Sequence, residues 1–365
     1  MKLLLLAPEI FTTDSGIPRI LRLYLKACCA IAAQRNGSVH FVALNDSMVD
    51  TTELKPCSGA ALQKWSVCSG DKIRFVREAL RLSKEADFIL CGHVAQLPVA
   101  WLARCLDRKL RYALVAHGIE VWRPFSFWER RALKGAERIF CISEFTRAEI
   151  LKRISLDETR LVVLPNALDP LLELSTPAPV PRADAPVILT VARLTRSDRY
   201  KGVDDLIEAM PEILRAEPTA KLRVVGRGDD RNRLYQRARE LKVAGAVEFA
   251  GFVSDERLRD EFDRCRLFAL PSEKEGFGLV YIEAMAHGRP CLGARAGGTP
   301  EVITDETGVL VPYGDVHAIA VAAVDALRRP WSEAALLARA RHFSYSQFES
   351  RLASLLPGEP AGRAS

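Results

Sequence analysis

Two glutamates, Glu275 and Glu283, bracket a glycine-containing segment whose residue types suit a phosphate-containing ligand. The apolar run over residues 266–271 is typical of a buried parallel strand, and the segment after it opens a short predicted helix. Gly276 and Gly278 permit a tight turn, which brings the unpaired N–H groups of the first helical turn close to an anion. Because carboxylates do not suit phosphate, we expect the two glutamates to bind hydroxyl groups, such as those of a sugar and a ribose.

A plainer interpretation is that Glu283 lies on a solvated helix face and that Glu275 caps the helix N-terminus, where negative charge is favourable. The flanking sequence favours a ligand site instead, because Gly-Arg-Pro follows at 288–290 and Gly-Gly-Thr-Pro-Glu at 297–301. Together these motifs resemble the nucleotide-sugar site of retaining glycosyltransferases of family 4, which have the two-domain GT-B fold.

The resemblance implies a role for each residue of the segment. Gly278 and Leu279 would hold the donor phosphate at the start of the helix, and Glu283 would hold ribose hydroxyls. Glu275 would be a catalytic residue that holds hydroxyls of the donor sugar, without acting as a covalent nucleophile.

Two cations occupy the same edge of the predicted sheet. Arg193 directly follows a predicted strand and Lys201 precedes a predicted helix, so both lie, with Glu275, at the carboxyl ends of strands. Arginine can grip a diphosphate through two oxygens, and lysine adds a compact charge. Solvated loop cations are the alternative. The segment 191–202 also resembles the arginine-then-lysine diphosphate clamp of the family, which makes Arg193 and Lys201 catalytic and donor-binding candidates.

The chain contains no Asp-x-Asp triplet, which disfavours a transferase of the metal-dependent GT-A type. Arg193, Lys201 and the helix dipole would take the place of a divalent cation. We therefore expect no metal site and no cofactor, and a nucleoside diphosphate sugar as the donor substrate.

The sequence Val-Val-Gly-Arg-Gly-Asp at 224–229 imitates a dinucleotide fingerprint but lacks its third glycine, which disfavours a dehydrogenase. A turn beside a nucleobase is the favoured interpretation. By resemblance, Phe252 and Val253, which follow Gly251, belong to the backbone that receives the base.

The first half of the chain carries two further candidates. Gly16 resembles the loop glycine that the family places near the donor phosphate, although many members have two glycines in succession there. His117 falls where the family has a histidine beside the donor sugar, and a structural role is an equally good interpretation of a single histidine. Glu9 and Asp14 are weaker candidates, because acidic loop residues are common.

These residues require two doubly wound parallel sheets to position them. The resemblance implies an α/β GT-B fold of two Rossmann-like domains that face each other across a cleft, with the C-terminal helix crossing back to the first domain. We expect an acceptor-side domain of residues 1–168 with the returning helix 345–357, and a nucleotide-sugar domain of residues 169–344.

A Pro/Ala-rich segment, 174–186, is typical of a linker. The predicted strands are Lys2–Ala7, Val39–Leu44, Phe88–Cys91, Arg111–Val115, Arg138–Cys141 and Arg160–Leu164, then Val187–Val191, Lys221–Val225, Val247–Phe252, Leu267–Leu270 and 290–293.

Composition and length are those of a globular protein. The 365 residues suit two domains, with 48% hydrophobic and 27% charged residues. The apolar run over 1–8 is too short for a signal peptide and predicts a buried strand, and no stretch has the length of a membrane span. The cysteines are odd in number and scattered, which favours a reduced cytoplasmic protein: Cys28, Cys29, Cys57, Cys68, Cys91, Cys105, Cys141, Cys265 and Cys291.

The net charge of +6 is concentrated in the first half, where residues 1–168 hold 25 Lys+Arg and 17 Asp+Glu, or +8, against 27 and 29, or −2, in the rest. Four aromatic and four basic residues crowd the segment 122–134. We hypothesise that Arg130, Arg131 and Lys134 dock the protein on anionic lipid, and expect Pro124 in the first turn of a helix. The alternative places Trp128 and the other aromatics in the core.

The resemblance implies a retaining glycosyltransferase that moves a hexose from a nucleoside diphosphate sugar to a glycan or lipid-linked glycan, in bacterial surface or exopolysaccharide assembly. The sequence of residues 197–202 resembles that of mannosyltransferases, which suggests GDP-mannose as the donor. Location would be cytoplasmic, with peripheral association at the inner face of the membrane and no nucleic-acid partner. A nucleotide-sugar epimerase and a non-catalytic sugar-nucleotide-binding subunit stay open as alternatives.

Overall fold

A computed structural model of the chain describes residues 1–13, 16–49, 51–170 and 185–358. The chain divides into two compact units, of which one holds Met1–Ala167 and the last helix from Tyr345, and the other holds Leu168–Ser344. Asp14 and nearly all of the predicted linker lie outside the described residues. Each unit is an open parallel sheet flanked by helices, so the predicted fold, with two Rossmann-like domains, is confirmed.

The first unit contains a sheet of seven parallel strands in the order β3-β2-β1-β4-β5-β6-β7. Its central strands are buried on both faces, because crossover helices cover both sides of a parallel sheet. The strands are β1 (Lys2–Ala7), β2 (Ser38–Ala43), β3 (Leu62–Val67), β4 (Phe88–Cys91), β5 (Arg111–Ala116), β6 (Arg138–Cys141) and β7 (Leu161–Val163). The helices are α1 (Gly16–Gln34), α2 (Thr51–Leu54), α3 (Lys72–Ser83), α4 (Leu97–Leu106), α5 (Phe127–Gly135) and α6 (Glu144–Leu151).

The edge strand β3 was not predicted from the sequence. Its residues, Leu-Gln-Lys-Trp-Ser-Val, have no apolar run, since only one strand pairs with it and most of its side chains face solvent. The indole of Trp65 stacks on Phe41 of β2, with ring centroids 6.3 Å apart and planes at 12°. Cross-strand stacking of this kind therefore takes the place of burial at this edge.

The second unit contains six parallel strands in the order β10-β9-β8-β11-β12-β13. The strands are β8 (Val187–Val191), β9 (Lys221–Val225), β10 (Val247–Gly251), β11 (Leu267–Leu270), β12 (Cys291–Ala294) and β13 (Gly308–Val311). The helices are α7 (Val203–Ala216), α8 (Arg231–Glu240), α9 (Asp255–Arg264), α10 (Leu279–Ala286), α11 (Val316–Arg328) and α12 (Glu333–His342). Because all six strands run in one direction, the loops after β8, β9, β10, β11 and β12 share one edge of the sheet.

The last helix, α13 (Tyr345–Leu355), packs in the first unit. The ring of Phe348 meets Tyr24 of α1 edge-on, with centroids 4.9 Å apart. The guanidinium of Arg35 donates to the carbonyl oxygens of Ala353 (2.6 Å) and Pro357 (2.8 Å), which satisfies acceptors at the helix end. The helix therefore returns to the first unit, as predicted. None of the helices in the described ranges is long and apolar enough to cross a membrane.

One buried carboxylate fixes the loop after β1. Asp46 is fully buried and accepts the backbone N–H groups of Ile10 (2.8 Å), Phe11 (3.1 Å) and Thr12 (2.8 Å), and also the Thr12 hydroxyl. Of these donors, the N–H of Ile10 is buried and would otherwise be unsatisfied in the interior, which costs free energy. Asp46 therefore determines the path of the loop that leads to α1.

We expect Asp46→Asn to lower the free energy of unfolding by about 2–4 kcal/mol, because its amide nitrogen would face a buried N–H donor. Asp71 is a matched control: it is exposed and caps α3 by accepting from two backbone N–H groups. Asparagine caps helices as well as aspartate does, so Asp71→Asn should change stability by less than about 0.5 kcal/mol. Urea unfolding checks both variants, and equal losses would contradict this role of Asp46.

Candidate active site

An ion pair between Lys201 and Glu275 lies at the carboxyl edge of the second sheet. Lys201 ends a short 3-10 segment, Arg196–Lys201, which follows β8 and is kinked at Asp198, and Glu275 lies in the loop after β11. Their side chains are only 19% and 12% exposed, so the contact is poorly screened by water. The sequence placed both residues in the site, but it did not predict that they pair with each other.

The turn that carries Lys201 is locked to the loop after β11. The carbonyl oxygen of Tyr200 accepts from the Glu273 N–H (2.8 Å) and from the Ser272 hydroxyl (3.2 Å). Gly202 has a φ of 73°, and a Cβ there would lie 2.4 Å from the Pro271 carbonyl oxygen. Only glycine fits this position, because both the backbone angle and the contact exclude a side chain.

The loop after β12 completes the frame around Glu275. The N–H of Gly298 donates to the Glu275 carbonyl oxygen (2.7 Å), and a Cβ at Gly297 would come within 2.4 Å of the same oxygen. The Gly-Gly motif that contributed to the family resemblance therefore allows two backbones to approach closely. Three loops from three neighbouring strands hold this carboxylate.

The second cation of the predicted clamp, Arg193, follows β8 and also has a carboxylate partner. Its guanidinium contacts Asp198 at two points, Nε to Oδ2 (3.2 Å) and Nη2 to Oδ1 (3.3 Å). Asp198 is buried and also accepts from the Thr195 hydroxyl (2.7 Å), whereas the Arg193 side chain is largely exposed. The two-point contact fixes the guanidinium plane and leaves further N–H groups for a ligand. Sequence reasoning missed Asp198, for which the only signal was an acidic residue between the two cations.

Tyr200 lies between the two ion pairs. Burial, followed by the negative charge of Asp198, raises the pKa of its phenol to about 12, and Glu275 acts in the same direction while Arg193 opposes it. The side chain therefore stays neutral at physiological pH. Nζ of Lys201 also lies 5.4 Å from the centroid of the Tyr200 ring, so this side chain adjoins the Lys201 pair directly.

The start of α10 has the geometry expected of the glycine-containing segment. Gly278 has a φ of 95°, and a Cβ there would press into the Tyr281 ring at 2.4 Å. No side chain caps the first turn, at Leu279, within the described part of this segment. The proposed capping role of Glu275 is wrong, since its carboxylate pairs with Lys201. The alternative of a solvated Glu283 is also wrong, because this residue is only 5% exposed.

The residues predicted to receive the base follow β10. Gly251 has a φ of 71°, Phe252 is exposed, and Val253 is half-buried. Phe252 therefore places an aromatic ring in solvent at the same sheet edge as the clamp.

Gly16 and His117 belong to the first unit. Gly16 begins α1, and a Cβ there would meet nothing within 4 Å, so local packing imposes no need for glycine. Glu9 accepts from the Thr13 hydroxyl (3.0 Å). His117 directly follows β5, where its backbone N–H donates to the Glu120 carboxylate (2.5 Å).

The imidazole of His117 is buried and neutral. Its Nε2 lies 2.9 Å from the carbonyl oxygen of Gly92, which can only accept, so Nε2 carries the proton and Nδ1 is left as an acceptor. Burial lowers the pKa of His117 to about 4, and the hydrogen bond to Gly92 only partly opposes this. The ring can therefore bind a hydroxyl donor without carrying charge.

The basic and aromatic segment 122–134 differs from expectation in two ways. α5 begins at Phe127, with Ser126 as its cap in a capping box with Glu129, so Pro124 lies before the helix and not in its first turn. Phe127 and Trp128 are 68% and 56% exposed, so placing Trp128 in the core is also wrong. Arg130, Arg131 and Lys134 are exposed on the same helix.

Residues 185–329 match the family described as "Glycosyl transferases group 1", and residues 25–170 match "Glycosyltransferase Family 4". A GDP-mannose-dependent alpha-(1-6)-phosphatidylinositol monomannoside mannosyltransferase of Mycolicibacterium smegmatis is 32% identical over 311 residues, 78% of this chain and 80% of that protein. The N-acetyl-alpha-D-glucosaminyl L-malate synthase of Bacillus anthracis is 37% identical over 153 residues, 42% of this chain and 39% of that protein.

Among solved structures, Anabaena HepE in complex with UDP aligns with a TM-score of 0.78 at 21% identity, covering 97% of this chain and 99% of that chain. The sucrose-phosphate synthase of Thermosynechococcus elongatus aligns with a TM-score of 0.77 at 22% identity, covering 97% and 98%. These likenesses extend over both units and show the fold.

The His117 geometry predicts a pH dependence of stability. The unfolded chain binds a proton at this residue near pH 6.5, whereas the folded chain does so only near pH 4, so lowering the pH across this window favours unfolding. We expect the lowered pKa of His117 to decrease the free energy of unfolding by up to about 3 kcal/mol at pH 4, and to have no effect above pH 6.5.

Urea unfolding of the wild type and of His117→Asn between pH 7 and pH 4.5 measures the difference, since the carboxylates titrate alike in both proteins. The variant should lose less stability on acidification. Parallel pH profiles would show that His117 titrates normally in the folded state.

Proposed function

This chain belongs to glycosyltransferase family 4, and we propose that it transfers mannose, with retention of configuration, from GDP-mannose to a hydroxyl group of a glycan or lipid-linked glycan. The observation that carries the proposal is the grouping of Arg193, Lys201 and Glu275 at one sheet edge. The choice of donor rests on the mannosyltransferase of Mycolicibacterium smegmatis, which is similar to this chain over most of its length. Such a reaction suits the assembly of bacterial surface or exocellular polysaccharide.

The donor diphosphate is bound by cations that already have carboxylate partners. Lys201 turns from Glu275 to a phosphate oxygen, and Arg193 offers the N–H groups that Asp198 does not occupy. The first turn of α10, from Gly278 and Leu279, adds backbone N–H donors and the positive end of the helix dipole. These groups stabilise the diphosphate without a metal ion.

The remaining donor contacts follow from the same arrangement. Glu283, buried in α10, accepts from ribose hydroxyls, and Glu275 accepts from a hydroxyl of the sugar once Lys201 has turned away. In the first unit, Gly16 and His117 are donor-site candidates through the family resemblance, and the unprotonated Nδ1 of His117 is able to accept from a sugar hydroxyl.

The transfer step exchanges one bond at the anomeric carbon of the sugar. The bond to the β-phosphate oxygen breaks as the bond to the acceptor oxygen forms on the same face. The acceptor proton passes to the departing phosphate oxygen. Negative charge grows on the diphosphate as its bond to the sugar breaks, before the acceptor proton neutralises it, so Arg193 and Lys201 stabilise it most strongly at the transition state.

Lys201→Ala tests this proposal. We expect the variant to lose about 1.5–3 kcal/mol of charge-assisted binding, so that the affinity for GDP and the turnover rate each fall by a factor of about 10–150. Lys242→Ala is a matched control, since this exposed lysine lies between α8 and β10, at the opposite edge of the same sheet, and should change neither quantity. Calorimetry of GDP binding and initial rates with GDP-mannose provide the measurements.

The same assay distinguishes the alternatives. A transferase requires an acceptor and yields an α-linked product by NMR, while an epimerase converts the sugar nucleotide alone and a non-catalytic subunit gives no product. Activity should persist in excess chelator. Unchanged GDP affinity and rate in Lys201→Ala would remove the basis of the clamp assignment.

A lipid-linked acceptor requires the protein to work at a membrane surface, and the exposed face of α5 suits this role. Phe127 and Trp128 offer apolar rings that partition to the lipid interface, while Arg130, Arg131 and Lys134 attract anionic headgroups. The excess of positive charge in residues 1–168 acts in the same direction. We therefore place the enzyme in the cytoplasm, peripherally bound to the inner face of the membrane.

Replacing Arg130, Arg131 and Lys134 together with serine should weaken binding to vesicles that contain phosphatidylserine by about 3 kcal/mol, roughly 100-fold, because each cation contributes about 1 kcal/mol. A matched control replaces three exposed cations of α3, Lys72, Arg74 and Arg77, with serine, which changes the net charge equally. Co-sedimentation at two salt concentrations is the measurement. Equal losses in both triple variants would show that α5 is not the docking surface.

A further inference from the structure

An exposed aromatic ring in the second unit carries a guanidinium on its face. Phe252 is 60% exposed, although it follows a strand whose other apolar residues are sheltered, and Cζ of Arg227 lies 4.9 Å from its ring centroid. Arg227 is itself exposed, so a flat surface with one cationic and one aromatic component faces solvent. Arg227 itself has no role assigned to it from the sequence or in the mechanism described above.

The backbone ties the pair to the diphosphate clamp. The N–H of Leu194, the residue after Arg193, donates to the carbonyl oxygen of Arg227 (3.0 Å). On the other side, the N–H of Gly226 donates to the carbonyl oxygen of Gly251 (2.8 Å), the residue before Phe252. The loops after β8, β9 and β10 are therefore joined in sequence, with the clamp arginine at one end and the exposed ring at the other.

Gly226 fixes this arrangement sterically. Its φ is 141°, and a Cβ there would lie 1.8 Å from the Ala192 carbonyl oxygen, so any other residue would force the loop after β9 away from the loop that bears Arg193. Arg227 is thus held next to the clamp by backbone geometry. When the diphosphate is bound at Arg193, we take the base to lie at this surface, as the family resemblance implies for Phe252.

We propose that Arg227 selects guanine as the donor base; the place of the base beside Phe252 follows from the family resemblance, and this inference rests on the proposed function. Guanine presents two adjacent acceptors, O6 and N7, which match the paired donors of a guanidinium. Adenine offers a donor beside N7, and uracil lacks the purine N7, so neither satisfies both N–H groups. The face of Phe252 stacks with any base, and the specificity therefore comes from Arg227.

The experiment compares GDP, ADP and UDP binding by calorimetry in the wild type and in Arg227→Ala, Arg227→Lys and Phe252→Ala. Arg227→Ala should weaken GDP about 10- to 100-fold and UDP less than about threefold. Arg227→Lys keeps the positive charge but removes the paired N–H donors of the guanidinium, so the affinity for GDP should still fall. Phe252→Ala should weaken all three nucleotides alike. Arg231→Ala is a matched control, because this exposed arginine lies over the Phe249 ring at 5.6 Å and should have no effect.

The outcomes separate this inference from the proposed function. If the wild type binds GDP and Lys201→Ala weakens it, while Arg227→Ala leaves the ratio of GDP to UDP affinity unchanged, base selection by Arg227 is overturned and the clamp stands. A wild type that prefers UDP, or an equal loss of all three nucleotides in Arg227→Ala, overturns it as well. A wild type that binds no nucleoside diphosphate overturns both. Circular dichroism confirms that each variant is folded.

Discussion

The candidate site depends on a charge pair that is largely removed from water. Burying a lone ammonium or carboxylate costs several kcal/mol, and a partner offsets this cost only at close range. Lys201 and Glu275 meet this condition because three loops of one sheet edge are fixed against each other by backbone hydrogen bonds. The pair is thus a consequence of the parallel topology, which brings the ends of β8, β11 and β12 together.

The glycines at this edge follow from the same constraint. Gly202 and Gly297 each stand where a Cβ would lie 2.4 Å from a carbonyl oxygen of a neighbouring loop, and Gly226 is more crowded still. Their sequence motifs look like ligand-binding glycines, yet the immediate reason for each is contact between protein backbones. Ligand geometry then depends on these contacts, since moving one loop would separate the cation from its carboxylate.

Sequence reasoning predicted the strands that are buried, because a buried strand is a run of apolar residues. The apolar runs of β1 and β11 are such elements, whereas β3 was missed because a half-exposed edge strand has no apolar run. It also predicted that Arg193, Lys201 and Glu275 follow strands at one edge of the second sheet, which is where they lie. It did not find Asp198, or the pairing of Lys201 with Glu275, because a pairing across 74 positions depends on packing that no local pattern encodes.

Pairing each clamp cation with a carboxylate has a consequence for donor selection under the proposed function. The second half of the chain carries a net charge of −2, so the attraction for a diphosphate is local to Arg193, Lys201 and the start of α10. When Lys201 turns to a phosphate, Glu275 loses its charged partner while still largely buried, which is unfavourable unless another donor replaces it. A bare nucleotide supplies none, but a sugar hydroxyl does. The exchange therefore couples diphosphate binding to the presence of the sugar, so that Lys201 contributes to the binding of GDP and contributes more to the binding of the sugar nucleotide.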